Sequence, residues 1–216
     1  MEEALPEGEC TSMDVFEKTL SFIEKCYNGI KIIMISGGEP TEHPEILKII
    51  ERLKDWNAYL LSNGLFFSTP LREPILDSGI GIQVYNDPRY YPIRVEPIND
   101  PRVVYCDTIN SLTPIGRAKK MKGTRMAPLC FNLRSCVRHT RDFQEGLLSL
   151  RLVQKLCSPS IDVYGNICAG ESRFCHRIGT VESNFVELED NIMSMKCNKC
   201  GLEDNLSPEL LKAIYA

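Results

Sequence analysis

Short apolar runs that end in glycine or Asn-containing turns recur along the first half of this chain, and they constrain its fold more than any other feature. "GIKIIMI" (Gly29–Ile35) is rich in β-branched residues and leads into Gly37-Gly38. "AYLLS" (Ala58–Ser62) closes on Asn63-Gly64, "GIGIQVY" (Gly79–Tyr85) runs into Asn86-Asp87, and "RVVYC" (Arg102–Cys106) reads as a fourth run. Such runs suit strands buried in a parallel sheet. Helical patterns lie between them. Ile46, Ile49, Ile50 and Leu53 recur at i, i+3, i+4, i+7, with Pro44 suited to a first helical position, and a shorter helix fits around Pro70–Asp77. Alternation of strand and helix predicts an α/β layer with parallel strands, whose ligands sit at the carboxyl ends. The Gly-Gly turn, Asn63-Gly64 and Tyr85-Asn86-Asp87 all fall at such ends.

The chain opens differently. Thr11 or Ser12 can cap a first helix whose stripe is Val15, Phe16, Leu20, Ile23 and Tyr27. Right-handed crossovers join two parallel strands, so this helix lacks the strand it should leave, and an exposed sheet edge is expected. From about Pro114 the character changes. "PIGRAKKMKG" is basic and Gly-bounded and reads as a solvated loop or linker. A boundary near 115–128 therefore divides the chain into 1–120 and 121–216. The second part carries most of the cysteines, turns at Gly165 and Gly179, and a last helix that Ser207 can cap with Pro208 at its first position.

A length of 216 residues suits one domain, or one with a small appendage, and 43% hydrophobic residues are enough for a core. The net charge of −4 and pI near 5.5 provide no basic field for nucleic acid or an anionic membrane. With only 8% aromatics, they also disfavour a zinc-ribbon nucleic-acid module. No apolar run approaches the ~18–20 residues of a membrane span. The acidic start "MEEALPEGEC" has no apolar core and does not read as a signal peptide. The expected location is the cytoplasm.

Ten cysteines in a reducing compartment then require a reason. Cys26 and Cys106 lie in apolar-patterned segments and read as small buried hydrophobes. The other concentration, Cys130, Cys136, Cys157, Cys168, Cys175, Cys197 and Cys200, ends in a Cys-x2-Cys knuckle and points to metal rather than disulfides. Tetrahedral zinc on Cys168, Cys175, Cys197 and Cys200 is one reading. His176 is a further candidate ligand or an ordinary hydrogen-bonded histidine. Cys130 and Cys136 either contribute or pack.

Gly37 and Gly38 allow positive φ and close approach of a ligand to the main chain, Glu39 adds a carboxylate that suits an ammonium group, and Pro40 stiffens the exit. From spacing alone this is equally an ordinary βα turn. The longer stretch "MISGGEPTEHPEILKIIERLKDWNAYLLSNG", with "LTPIGRA" at Leu112–Ala118, resembles the radical S-adenosylmethionine (radical SAM) superfamily. The resemblance covers roughly residues 10–120. It implies a partial parallel (β/α) barrel, here without its first strand, in which the GGEP backbone receives the methionine amino group of S-adenosylmethionine. By it, Gly37, Gly38, Glu39, Pro40, Asn63 and Arg117 are the cofactor-binding candidates.

The Cys-rich part resembles the SPASM or twitch extensions of the same superfamily: Cys157, then Gly165, Cys168 and Cys175, then "CNKCG" at 197–201. That resemblance implies an auxiliary [4Fe–4S] cluster on cysteines from Cys157, Cys168, Cys175, Cys197 and Cys200, about four thiolates converging on one point. The interval from Gly165 to Cys168 is shorter than in SPASM domains and the tail has one Cys-x2-Cys, so one cluster fits better than two.

The Cys-x3-Cys-x2-Cys motif that binds the catalytic cluster of this superfamily is absent; before the GGEP turn stand only Cys10 and Cys26. Met1 falls where that cluster loop would end, so the expectation is a shortened form of a longer enzyme, inactive as given and without an assigned catalytic residue. The implied activity of the complete enzyme is formation of a 5′-deoxyadenosyl radical and hydrogen abstraction from a peptide or protein, with an external electron donor. The alternative is a catalytically inactive barrel that binds a peptide or partner protein, its tail stapled by zinc.

Overall fold

The structure is a computed structural model that describes residues 9–26, 32–89, 95–107, 160–168 and 177–194. The chain divides into two compact units. The first contains strands β1 (Ile32–Ile35), β2 (Asn57–Ser62), β3 (Gly81–Tyr85) and β4 (Val103–Cys106) with helices α2 (Ile46–Leu53) and α3 (Arg72–Asp77). The second contains helix α1 (Met13–Cys26), strands β5 (Ser160–Ile161), β6 (Asn166–Cys168) and β7 (Arg177–Thr180), and helix α4 (Phe185–Ser194).

In the first unit the four strands pair in chain order, all parallel. The mixed α/β class and the parallel sheet expected from the sequence are therefore present. Strands parallel and in sequence need crossovers, and the right-handed rule puts α2 and α3 on one face of the sheet. Their apolar stripes account for it. Ile46, Ile49, Ile50 and Leu53 of α2 are all buried, as are Ile75 and Leu76 of α3. Each such side chain contributes about 1.5–3 kcal/mol on burial. The register places Ala58, Leu60 and Ser62 of β2 beside Ile82 and Val84 of β3 on one buried face.

The opposite face is partly exposed and mixes apolar side chains with Asn57 and Gln83. Ile32 (46% exposed), Met34 (55%), Tyr59 and Val104 (57%) lie on it, alternating with the buried set. A parallel sheet is ordinarily covered on both faces. Among the described residues β1 is also an edge strand, with β2 its one sheet partner.

Two short 3-10 turns follow strand ends, Pro40–Glu42 after β1 and Leu65–Ser68 after β2. The first displaces the expected helix start at Pro44: α2 begins at Ile46, after His43 Nδ1 accepts the Glu45 N–H at 3.0 Å. Between β3 and β4 the described residues contain no helix. There Asp100 closes a turn, accepting from the Arg102 N–H (2.9 Å) and from its guanidinium (2.9 and 2.7 Å), and Arg102 also donates to the Leu76 carbonyl.

In the second unit Ser12 caps α1, accepting the Val15 N–H at 3.2 Å. Leu20 and Phe22 are buried on that helix, and Phe22 lies off the expected stripe. Val15 lies against Gly165, and Lys18 pairs with Glu182 at 2.8 Å, so α1 belongs with the C-terminal strands. Strands β5, β6 and β7 form an antiparallel sheet with an irregularity at Ile167/Cys168. Ile167, Cys168 and Ile178 of the sheet and Leu188 of α4 are buried, and Asn191 of α4 donates to the Ile178 carbonyl at 2.9 Å. Among the described residues no helix is long and apolar enough to cross a membrane.

Candidate functional site at the carboxyl ends of the parallel strands

Because β1 to β4 run parallel, every segment that follows a strand emerges at the same end of the sheet. Gly37-Gly38-Glu39, Asn63-Gly64, Asn86-Asp87 and Asp107 thus gather at one edge. The three turns expected at carboxyl ends are there.

Glu39 is the centre of this edge. Its backbone is extended (φ −112, ψ 109) and it caps the 3-10 turn that follows. Its Oε1 accepts from Thr41 N (3.2 Å), Thr41 Oγ1 (2.7 Å) and Ser62 Oγ (2.8 Å); its Oε2 accepts from Asn63 N (2.8 Å). All four donors are neutral, and among the described residues no cation pairs with this carboxylate. An anion held only by neutral dipoles attracts a cationic ligand more strongly than one already neutralised by Arg or Lys.

The glycines leave room beside it. Gly37 and Gly38 are exposed, and Gly37 has φ +137 with nothing within 4 Å of where a Cβ would stand. That main chain is open to close approach. Gly64 is the opposite case. It has φ +80, and a Cβ would stand 2.8 Å from Val95 and 2.9 Å from Val84, so only glycine fits. Its N–H donates to Ser62 Oγ at 3.0 Å. Pro40 is buried, so it braces the turn from beneath. Asn63 Oδ1 accepts the Leu65 N–H at 2.9 Å and opens the second 3-10 turn, while its Nδ2 donor has no partner among the described residues.

At β3, Asn86 is 2% exposed and behaves like a strand residue. Its Oδ1 accepts the Val95 N–H (3.3 Å), and its Nδ2 donates to the Val95 carbonyl (3.4 Å) and to Asp107 Oδ1 (3.3 Å). Asp87 is 1% exposed and pairs with Arg89 at 2.6 Å. In contrast to Glu39, its charge is compensated by a guanidinium.

Gly37, Gly38, Glu39, Pro40 and Asn63 are thus brought together; Arg117 lies outside the described residues. Of the proposed metal ligands, Cys168 is described, 3% exposed in β6, and Cys157, Cys175, Cys197 and Cys200 lie outside the described residues, as do Cys130, Cys136 and His176. Among the described residues no three His, Cys, Asp or Glu side chains are grouped to hold a metal. Cys106, half-buried, accepts from Gln83 Nε2 at 3.1 Å. Sequence reasoning missed Thr41 and Ser62. Thr41, two residues from an acidic residue at a turn, carried a local signal; Ser62 carried none, because its partner is 23 residues away.

No protein-family model matches this chain, and no curated protein matches it at a significant level.

Proposed function

We propose that the first unit is the S-adenosylmethionine-binding part of a radical SAM protein, a partial (β/α) barrel acting on a peptide or protein. One observation carries this reading: the Glu39 carboxylate, held by four neutral donors and, among the described residues, by no cation, stands beside the open Gly37-Gly38 main chain at the carboxyl end of a parallel sheet. That arrangement suits the α-amino-acid end of the cofactor. Glu39 receives the ammonium group, the Gly37-Gly38 backbone lies along the ligand, and the Nδ2 of Asn63 supplies a donor. In such a barrel the exposed face with Met34 and Tyr59 would line the interior. S-adenosylmethionine would supply a 5′-deoxyadenosyl radical in the complete enzyme, where a [4Fe–4S] cluster on a motif absent from this sequence would deliver the electron; the residues named here would bind and orient the cofactor. The auxiliary cluster on Cys157, Cys168, Cys175, Cys197 and Cys200 is part of the same proposal by resemblance.

The test is equilibrium binding of S-adenosylmethionine to the 216-residue chain, with Glu39→Gln as the control. Measurable binding that weakens about tenfold in Glu39→Gln supports the reading, the loss expected of one charge-assisted contact. Absence of binding overturns it. The second reading is a barrel that docks a peptide on the open face, favoured by the exposure of Ile32, Met34 and Val104. Anaerobic reconstitution separates the two, because zinc without labile sulfide in the tail favours the second.

A further inference from the structure

We propose that Ser62 is a positioning residue that gives this site its preference for an α-ammonium group, by holding Glu39 so that Oε2 is the receiving atom. This rests on the S-adenosylmethionine reading above. A carboxylate offers about four lone-pair directions, two on each oxygen. Oε1 accepts three hydrogen bonds, from Thr41 N, Thr41 Oγ1 and Ser62 Oγ, and is saturated. Oε2 accepts one, from Asn63 N, and its second direction has no partner among the described residues.

Ser62 adds the third bond that fills Oε1, and it comes from the neighbouring strand. Its hydroxyl has one proton. The Gly64 N–H donates to Ser62 Oγ at 3.0 Å, so that oxygen is the acceptor there, and its own proton is committed to Glu39 Oε1 at 2.8 Å. Ser62 is 3% exposed, so water does not replace the hydroxyl if it is removed. Without it Glu39 keeps the Thr41 donors on Oε1 and the Asn63 N–H on Oε2 but loses its side-chain donor from β2, and the carboxylate is held less tightly in its plane. The Gly64 N–H, also buried, loses its acceptor. An oriented charge-assisted bond is lost, whereas the rest of a bound ligand makes contacts that do not depend on this orientation.

Two ligands separate the roles: S-adenosylmethionine, and 5′-methylthioadenosine, which has the adenosine and sulfur but no amino-acid group. In the full chain, Ser62→Ala is expected to weaken S-adenosylmethionine binding about tenfold and 5′-methylthioadenosine binding less than about twofold, with Ser62→Thr restoring the former to within about threefold. If Ser62→Ala does not fold, Ser62→Cys places a weaker donor at the same position and carries the same expectation at about threefold, for S-adenosylmethionine alone. Equal weakening of both ligands, or of neither, overturns the role of Ser62 and leaves the cofactor reading standing. A wild-type chain that does not bind S-adenosylmethionine overturns both.

Discussion

Two carboxylates at glycine turns, Glu39 in the first unit and Asp162 in the second, do different work with the same chemistry. Asp162 Oδ1 accepts from the N–H groups of Tyr164 and Asn166, both at 2.9 Å, and Oδ2 accepts from Asn166 Nδ2 at 2.8 Å. Every donor lies within four residues, so Asp162 shapes the β5–β6 hairpin around Gly165 and nothing else. Glu39 takes two of its four bonds from residues 23 and 24 positions away. It ties the ends of β1 and β2 together beside a glycine with empty space around it. A local carboxylate is explained by its own turn; a long-range one fixes the mutual position of two strands, which is what a ligand site at a sheet edge requires.

The comparison breaks first at Glu39. Glu39→Ala leaves the Ser62 hydroxyl and the Asn63 N–H without their acceptor, and is expected to cost about 3 kcal/mol. Urea unfolding followed by the fluorescence of Trp56, the single tryptophan and a residue of the first unit, measures it. A cost no greater than that of Asp162→Ala would erase the distinction. Gly64→Ala attacks the same tie from behind, through positive φ and the contacts with Val95 and Val84, with an expected cost of about 2 kcal/mol in the same assay.

Asp162→Ala is expected to cost about 1 kcal/mol, with increased amide hydrogen exchange at Tyr164 and Asn166 and no change in Trp56 fluorescence. A shift of the Trp56 transition would show that the hairpin is not a local matter. Asp100 sharpens the contrast as a carboxylate that does have a cation. The side-chain hydrogen bond from Arg102, then its backbone N–H, hold the Asp100 pKa at about 2, below the ordinary 3.8. A lowered folded-state pKa contributes stability above the ordinary value, and this is lost as the pH falls from about 4 towards about 2. The difference in urea midpoint between wild type and Asp100→Asn should therefore be constant above that window and shrink inside it.

Much of the first unit was legible because its signals are local. Ile46, Ile49, Ile50 and Leu53 announce a buried helical stripe, and all four are buried. The apolar runs locate β2 at Asn57–Ser62 and β4 at Val103–Cys106 to within a residue. The 3-10 turn at Pro40–Glu42 was not legible, because Pro44 suits a helix start equally well and the choice falls to the cap formed by Glu39. The stripe of α1 says that the helix packs but not on what, and its neighbours Gly165 and Glu182 lie far along the chain. The same holds for the site. The GGEP turn stands out as a motif, whereas Ser62 becomes visible only when β1 and β2 are side by side.

Asn86 has a consequence for how such a chain can vary. Its side-chain amide bonds both the N–H and the carbonyl of Val95, as a neighbouring strand would, and Val95 in turn packs where Gly64 leaves space. The connection between β3 and β4 is pinned at this point by a side chain rather than by its own length. Val95 can therefore give way to another apolar residue of similar size, whereas a change at Asn86 leaves the Val95 N–H and carbonyl without their partner, so the sheet edge can vary at the first of these positions and not at the second.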